Sequence, residues 1–234
     1  MEDKIYVVTH KPFTLSDKLM NKGYELITVG GKAKSNKGVT DATGDNISVK
    51  NPSYCELTAA YWIWKNTSTD VKGFCHYRRY FSHPTLKYNE DKIISVKEAK
   101  NIISKDSNTI ILPERKYYNV SAEKLYLQCG YKKDLETTRE VIKEKYPEYV
   151  TEFDKMMKSN TGYITNMMIA SSSIYDAYYK WLFDILFEVE KRIDLSGRDD
   201  YQKRALGFLS ERLLKVWVKK NNLNPYIGYI IRIL

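Results

Sequence analysis

The chain has 234 residues, 43% hydrophobic and 29% charged, enough apolar content for a real core and outside the disordered, collagen-like and disulfide-scaffold classes. Its three cysteines, Cys55, Cys75 and Cys129, are too few and too scattered for a disulfide framework or a four-ligand zinc site, which fits a reducing cytoplasm. Thirty-eight Lys and Arg against 29 Asp and Glu leave a net charge of +9, a balance that points to polyanionic partners: nucleic acid, phosphorylated ligands or an anionic membrane face.

The first residues are charged and run into a short apolar stretch without the cleavage pattern of a secretion signal. Residues 4–10 form a β-branched and aromatic run, a buried strand that delivers Thr9 and His10 to a sheet edge. Residues 24–29 read as a second strand. Residues 30–51, rich in Gly, Ser, Thr, Asn and Asp, read as a long loop by their turn chemistry. Ser53, with Glu56 three residues on, then has the register of a capping box for a helix that carries Leu57, Ala60, Tyr61 and Trp64.

Residues 71–76 are a strand, 95–104 a helix with Ser95 and Glu98 in capping-box register, and 108–112 another strand. A charged helix over 134–145, a further helix begun by Pro147 and a strand-like segment over 163–170 follow. Two long amphipathic helices end the order, one striped by Ile174 through Ile193 and one by Leu206 through Trp217. The apolar segment over 181–189 is broken by Asp184 and Glu188, so nothing approaches the ~20 apolar residues of a membrane span and any membrane contact is expected to be peripheral. The tail over 226–234 is apolar enough to dock. This alternation predicts an α/β fold with helices on both faces of a mostly parallel sheet.

Such sheets bind ligands beyond the C-terminal ends of their strands. That rule singles out Thr9, His10 and Lys11, then His76, Tyr77, Arg78 and Arg79, then 113–116. Two arginines and a histidine at a strand end could hold a diphosphate through charge-assisted hydrogen bonds. The plainer alternative pairs both arginines with surface carboxylates. Asp41, Asp45 and Asn46 surround a turn glycine without the ligand order of a calcium loop, and backbone-bonding turn chemistry explains them. Glu56 caps a helix or faces a ligand. Glu211 is either a base or half of an i,i+4 pair with Lys215. His10, His76 and His83 are the three histidines, on separate loops, which disfavours a metal site. The glycine loops of nucleotide-binding proteins and the HExxH, CxxC and GxSxG motifs are absent.

Six strings together resemble one family: TGDNIS (43–48), KNPSYCELT (50–58), YWIWKN (61–66), GFCHYRRYF (73–81), IILP (110–113) and GFLSERLL (207–214). In this order, from about Lys4 to Asn222, they resemble the DUF4422 family of bacterial capsular and exopolysaccharide glycosyltransferases. The resemblance implies a single GT-A-like domain over 1–234, with a nucleotide-binding half over about 1–118 and an acceptor-side half over about 119–234. It also implies a nucleotide-sugar donor, a UDP-sugar with UDP-galactofuranose as a candidate, and a lipid-linked glycan acceptor. Some relatives are linked to galactofuranose transfer.

On this resemblance the donor site comprises Thr9, His10, Asp45, Asn46, Glu56, His76, Tyr77, Arg78, Arg79 and Asn166. Asn166 resembles a position that touches the donor sugar or acceptor after a strand. The strand over 73–76 occupies the place that ends in an Asp-x-Asp metal motif in GT-A enzymes, and here cations replace the carboxylates. No metal cofactor is therefore required on this reading, Mg²⁺ or Mn²⁺ being allowed by Asp199 and Asp200 in the linker before the last helix. Glu211 is the first choice as general base of an inverting transfer, resembling a late acidic residue at a helix start, and Asp45 is the fallback. Location is expected to be cytoplasmic, peripheral on the inner face of the plasma membrane. The rival readings are a nucleic-acid-binding protein, suggested by +9 and 20 tyrosines but without a basic stripe or known motif, and an inactive scaffold in a polysaccharide assembly complex.

Overall fold

The computed structural model describes residues 2–32, 37–85, 87 and 89–232. In chain order the strands are β1 (Lys4–Thr9), β2 (Tyr24–Thr28), β3 (Val39–Thr40), β4 (Val71–His76), β5 (Arg79–Ser82), β6 (Thr109–Pro113), β7 (Lys116–Tyr117), β8 (Thr161–Gly162), β9 (Met168–Ser171) and β10 (Asn224–Arg232). The helices between them are α1 (Asp17–Asn21), α2 (Asn51–Tyr54), α3 (Leu57–Asn66), α4 (Val96–Ile103), α5 (Ala122–Tyr126), α6 (Lys132–Lys145), α7 (Val150–Lys158), α8 (Ser172–Arg192) and α9 (Ala205–Lys220).

Eight strands share one sheet in the order β3-β2-β1-β4-β5-β10-β6-β9, and β9 also pairs with β4. The expected mostly parallel sheet is corrected here. Strands β3, β2, β1 and β4 are mutually parallel, but β5, β9 and β10 make antiparallel pairs. The reason is local at β4–β5: only Tyr77 and Arg78 separate the strands, and His76 pairs with Arg79. A two-residue connection makes a hairpin, because a parallel return needs a crossover of a dozen residues or more. β7 and β8 form a separate two-stranded ribbon.

β1 shows why the central strands read as unbroken apolar runs. Ile5 and Val7 enter the core shared with Leu19 of α1 and Ala99 of α4, while Tyr6 and Val8 enter the core shared with α3, α8 and α9. Both faces are covered, so both sets of alternating side chains must be apolar. The larger core holds the apolar stripes of α8 and α9, including Tyr178, Leu182, Ile185, Leu209 and Leu213.

The Ser95 capping box forms as expected, with both reciprocal bonds to Glu98. The Ser53 one does not. Pro52 lies in the first turn of α2, which begins at Asn51, and the chain breaks at Cys55 with φ of 53° before α3 starts. Glu56 thereby becomes the N-cap residue of α3 without a side-chain cap bond. Pro147 opens a 3-10 turn that leads into α7. The segment over 163–170 is strand only from Met168 onward, so Asn166 lies in the connection between β8 and β9. The 30–51 loop contains β3 and a 3-10 turn at Ser48–Lys50, with 33–36 outside the described residues. The tail is β10, inserted between β5 and β6; of this apolar tail, 233–234 lie outside the described residues. Among the described residues no helix is long and apolar enough to cross a membrane.

Candidate active site

The parallel register places Val8 beside His76 and Thr9 beside Thr28, so the C-terminal ends of β1, β2 and β4 open on one side of the sheet. A cleft of about 1040 Å³ lies there. Thr9, His10, His76, Tyr77 and Arg79 contribute the strand-end wall, and Cys55 and Glu56 the turn between α2 and α3. Gln128 and Cys129 follow α5, while Tyr201, Lys203, Arg204, Glu211 and Arg212 come from the last linker and α9.

Thr9 is buried, and its hydroxyl donates to the Lys11 carbonyl at 2.9 Å and accepts from the Lys11 amide at 3.1 Å. This Thr turn ends β1 and turns His10 outward. His10 meets the Tyr77 ring edge-on at 5.9 Å. Burial, followed by the charges of Lys11, Lys32, Arg204 and Arg78, holds His10 below the ordinary histidine range. The Tyr77 amide donates to the Val8 carbonyl at 3.1 Å, carrying the β1–β4 ladder into the hairpin turn.

The two adjacent arginines diverge at that turn. Arg78 is exposed, lies over the Tyr77 ring at 5.0 Å and donates to the Tyr77 hydroxyl at 2.7 Å; it is not part of the cleft wall. Arg79 faces the cleft and approaches His76 Nδ1 at 3.4 Å. Among the described residues neither arginine forms an ion pair with a carboxylate, so the surface-pair alternative is not what the fold adopts.

His76 stacks on Phe74 at 6.4 Å. Its Nε2 is buried without a hydrogen-bond partner among the described residues and lies 3.7 Å from Glu56 Oε1. Burial, helped by Arg79, Arg204 and His10, holds its pKa below the usual value against the opposite pull of Glu56. A buried polar group left unpaired costs about 1–3 kcal/mol, a cost that structural sites normally avoid. Asn166 is buried and bridges segments far apart in sequence: its amide donates to Glu56 Oε1 at 2.9 Å and its carbonyl accepts from Ser210 at 2.7 Å.

Glu211 lies within α9 rather than at its start. Burial first, and the Glu56 carboxylate second among the raising causes, push its pKa up to about 7 despite Arg212, whose Nη1 donates to Oε2 at 3.0 Å. The i,i+4 alternative does not form, because Lys215 donates instead to Ser159 Oγ and to Thr161. A carboxylate poised near neutral pH can take a proton and release it again, which is what general-base catalysis asks of it.

Asp45 and Asn46 are not brought to the cleft. Asp45 accepts from Tyr61 at 3.0 Å, and its amide donates to Asn66 at the C-terminal end of α3. Glu56 sits at the opposite end of that ten-residue helix, about 15 Å away at 1.5 Å per residue. Asn46 makes a turn, donating to the Gly44 carbonyl and accepting from the Ser48 amide. Buried Asp41 accepts from the Gly30 amide and Ser48 hydroxyl, tying down the loop. Geometry removes Asp45 as the fallback base.

Sequence reading overlooked Arg204 and Arg212. Arg204 precedes α9, donates through Nε to Cys55 Sγ at 3.2 Å and packs against the rings of Tyr201 and Phe208. Its only local signal is a cation near the helix start, a position that the helix dipole disfavours and that therefore invites a non-local reason. Asp200 is at the cleft rim, 3.6 Å from Lys203. Among the described residues no three His, Cys, Asp or Glu side chains are grouped to hold a metal ion, and the β4 end carries a histidine and cations.

The domain family described as "Domain of unknown function (DUF4422)" matches residues 4–222. The chain belongs to the DUF4422 family. This DUF4422 chain is also similar to a solved structure, the apo form of the bifunctional glycosyltransferase WbbM, with a TM-score of 0.81 and 28% identity. The similarity covers 99% of this chain and 45% of that one, so the DUF4422 chain spans under half of its structural relative. No curated protein is significantly similar in sequence.

Proposed function

We propose that this DUF4422 chain is a GT-A-like glycosyltransferase that moves a sugar from a nucleotide donor to a lipid-linked glycan in capsule or exopolysaccharide synthesis. The observation that carries this reading is one cleft joining cations free of ion pairs among the described residues, Arg79 and Arg204, to the Glu211 carboxyl with its pKa at about 7. A leaving diphosphate needs positive charge, and an attacking hydroxyl needs a base. The WbbM likeness supports the same chemistry, since 45% of a bifunctional protein is the share one catalytic unit would take.

The donor is a UDP-sugar, with UDP-galactofuranose as the candidate suggested by the family. Thr9, His10, Tyr77 and the cations take the nucleotide from the half over about 1–118; Gln128, Arg204 and Glu211 complete the site from 119–234. Glu211 removes the acceptor hydroxyl proton as that oxygen attacks the anomeric carbon from the face opposite the nucleotide. The new glycosidic bond forms as the bond to the UDP oxygen breaks, with inversion. Arg79 and Arg204 neutralise the departing UDP, and no step is routed through a metal. The charge of +9 draws the enzyme to an anionic inner leaflet at about 1 kcal/mol per cation near the surface, where a lipid-linked acceptor resides.

Calorimetric titration of UDP, in EDTA and again with Mg²⁺ or Mn²⁺, tests the reading. Saturable binding in EDTA that falls at least about tenfold in the Arg79→Ala/Arg204→Ala variant is the expected result, from the loss of two charge-assisted contacts. A folded protein that ignores UDP in both buffers overturns the UDP donor; binding that requires metal overturns the role given to the cations.

A further inference from the structure

Asn166 was expected to reach a ligand, yet its side chain is spent inside the protein. Nδ2 donates to Glu56 Oε1 at 2.9 Å and to the Gly207 carbonyl at 3.4 Å, and Oδ1 accepts from Ser210. What the arrangement leaves open is Glu56. Its Oε1 is held, while Oε2 receives no hydrogen bond from the described residues, and the side chain is part of the cleft wall.

Beside it, Arg79 fixes the tautomer of His76. A guanidinium can only donate, so His76 Nδ1 accepts from Arg79 and the proton of the neutral ring sits on Nε2. That N–H is the buried, unpartnered one, 3.7 Å from Glu56 Oε1. A carboxylate acceptor and an imidazole donor side by side complement a hydroxyl, which can donate to the first and accept from the second. They do not complement a phosphate, which offers only acceptors and would meet the Glu56 charge.

We infer that Glu56 and His76 form a hydroxyl-recognition site for the sugar being transferred, with Asn166 and Ser210 as the positioning residues that aim Glu56. His76 is thereby removed from the diphosphate, which is left to Arg79, Arg204 and Lys32. Nε2 is shielded in the free protein, so hydroxyl binding there requires the Glu56 side chain to shift. This inference rests on the glycosyl-transfer reading and specifies which part of the donor each group meets.

The test compares calorimetric affinities for UDP and for UDP-galactose, UDP-galactofuranose, UDP-glucose and UDP-N-acetylglucosamine, with thermal melting as the check on folding. Wild type should bind at least one UDP-hexose more tightly than UDP. Glu56→Gln and Asn166→Asp should lose about tenfold of that margin, the size of one charged hydrogen bond, while UDP affinity stays within about twofold. Asn166→Asp keeps the shape but sets a carboxylate against Glu56, so a packing role alone would leave the margin intact. Ser210→Ala, the milder change, should lose part of it and remain folded.

A margin that survives Glu56→Gln overturns the inference, as does parallel loss of UDP and UDP-hexose binding, or a wild type with no margin for any of the four sugars. Absence of UDP binding in folded wild type has a different meaning: the UDP donor reading itself then fails.

Discussion

Asp134 on α6 and Glu211 on α9 are both shielded carboxylates beside an arginine, but they receive different numbers of donors. Asp134 takes two bonds from Arg198, at 2.7 and 2.8 Å, one from the Tyr126 hydroxyl and one from the Tyr131 amide. Arg198 in turn lies over the Tyr131 ring at 4.4 Å, so the charge pair locks the linker before α9 onto α6. Glu211 receives one bond, from Arg212, and faces the cleft with Glu56 close enough to raise its pKa. A carboxylate that receives four hydrogen bonds from its own chain builds structure. One left with spare capacity in a desolvated cleft can exchange a proton, and the contrast teaches where to look for chemistry.

The sharpest way to test the contrast is Glu211→Gln, which should cut transfer by about 10²–10⁴-fold, the range of a general base, with UDP binding kept. Near-normal turnover would end its role as base. Asp134→Ala should act on stability instead, costing about 3–5 kcal/mol because Arg198 would be left buried and unpaired; urea unfolding measures it, and a loss below 1 kcal/mol would break the structural half of the comparison.

A pH series separates the two further. Glu211 rises from an ordinary 4.5 to about 7 in the folded protein, so between those values the folded state holds a proton that the unfolded chain has released. Its contribution to stability is full below about pH 4.5 and is lost as pH climbs to 7, roughly 3 kcal/mol in all. Transfer should rise over the upper end of the same window, since a base must be ionised. Glu211→Gln should flatten this component of the stability curve; parallel trends in stability and turnover would contradict the assignment. The smallest effect is expected at Asp41, whose pKa burial raises against the Ser48, Thr58 and Gly30 bonds. Ser48→Ala removes one donor and should cost about 1–2 kcal/mol, read by thermal melting with turnover unaffected.

The pattern Ser-x-x-Glu occurs at both Ser95 and Ser53, and only the first became a capping box. The local rule was legible in both places. At Ser53 the helix had already begun at Asn51, and a positive φ at Cys55 reset the chain direction, which aimed Glu56 at the cleft instead of at its own helix end. The strand ends bearing Thr9, His10 and His76 were legible for a related reason: continuous apolar runs mark strands buried on both faces, and the polar residue that stops each run marks its end. Arg204 was not legible, because its partner Cys55 is 149 residues away. Nor was the place of β10 between β5 and β6, antiparallel to the first and parallel to the second, since both lie far from it in sequence.

By itself, the sequence determined the α/β alternation, the cation cluster at the end of β4, the amphipathic stripes of the last two helices and the family. All four rest on short-range patterns, whose physics acts over a turn or a strand. Tertiary structure alone decided where each carboxylate is used: Asp45 beyond the cleft, Asp134 on Arg198, Glu56 aimed by Asn166, Glu211 desolvated beside Glu56. Ionisation depends on solvent exclusion and on charges brought in from distant segments, and neither exists until the chain has folded.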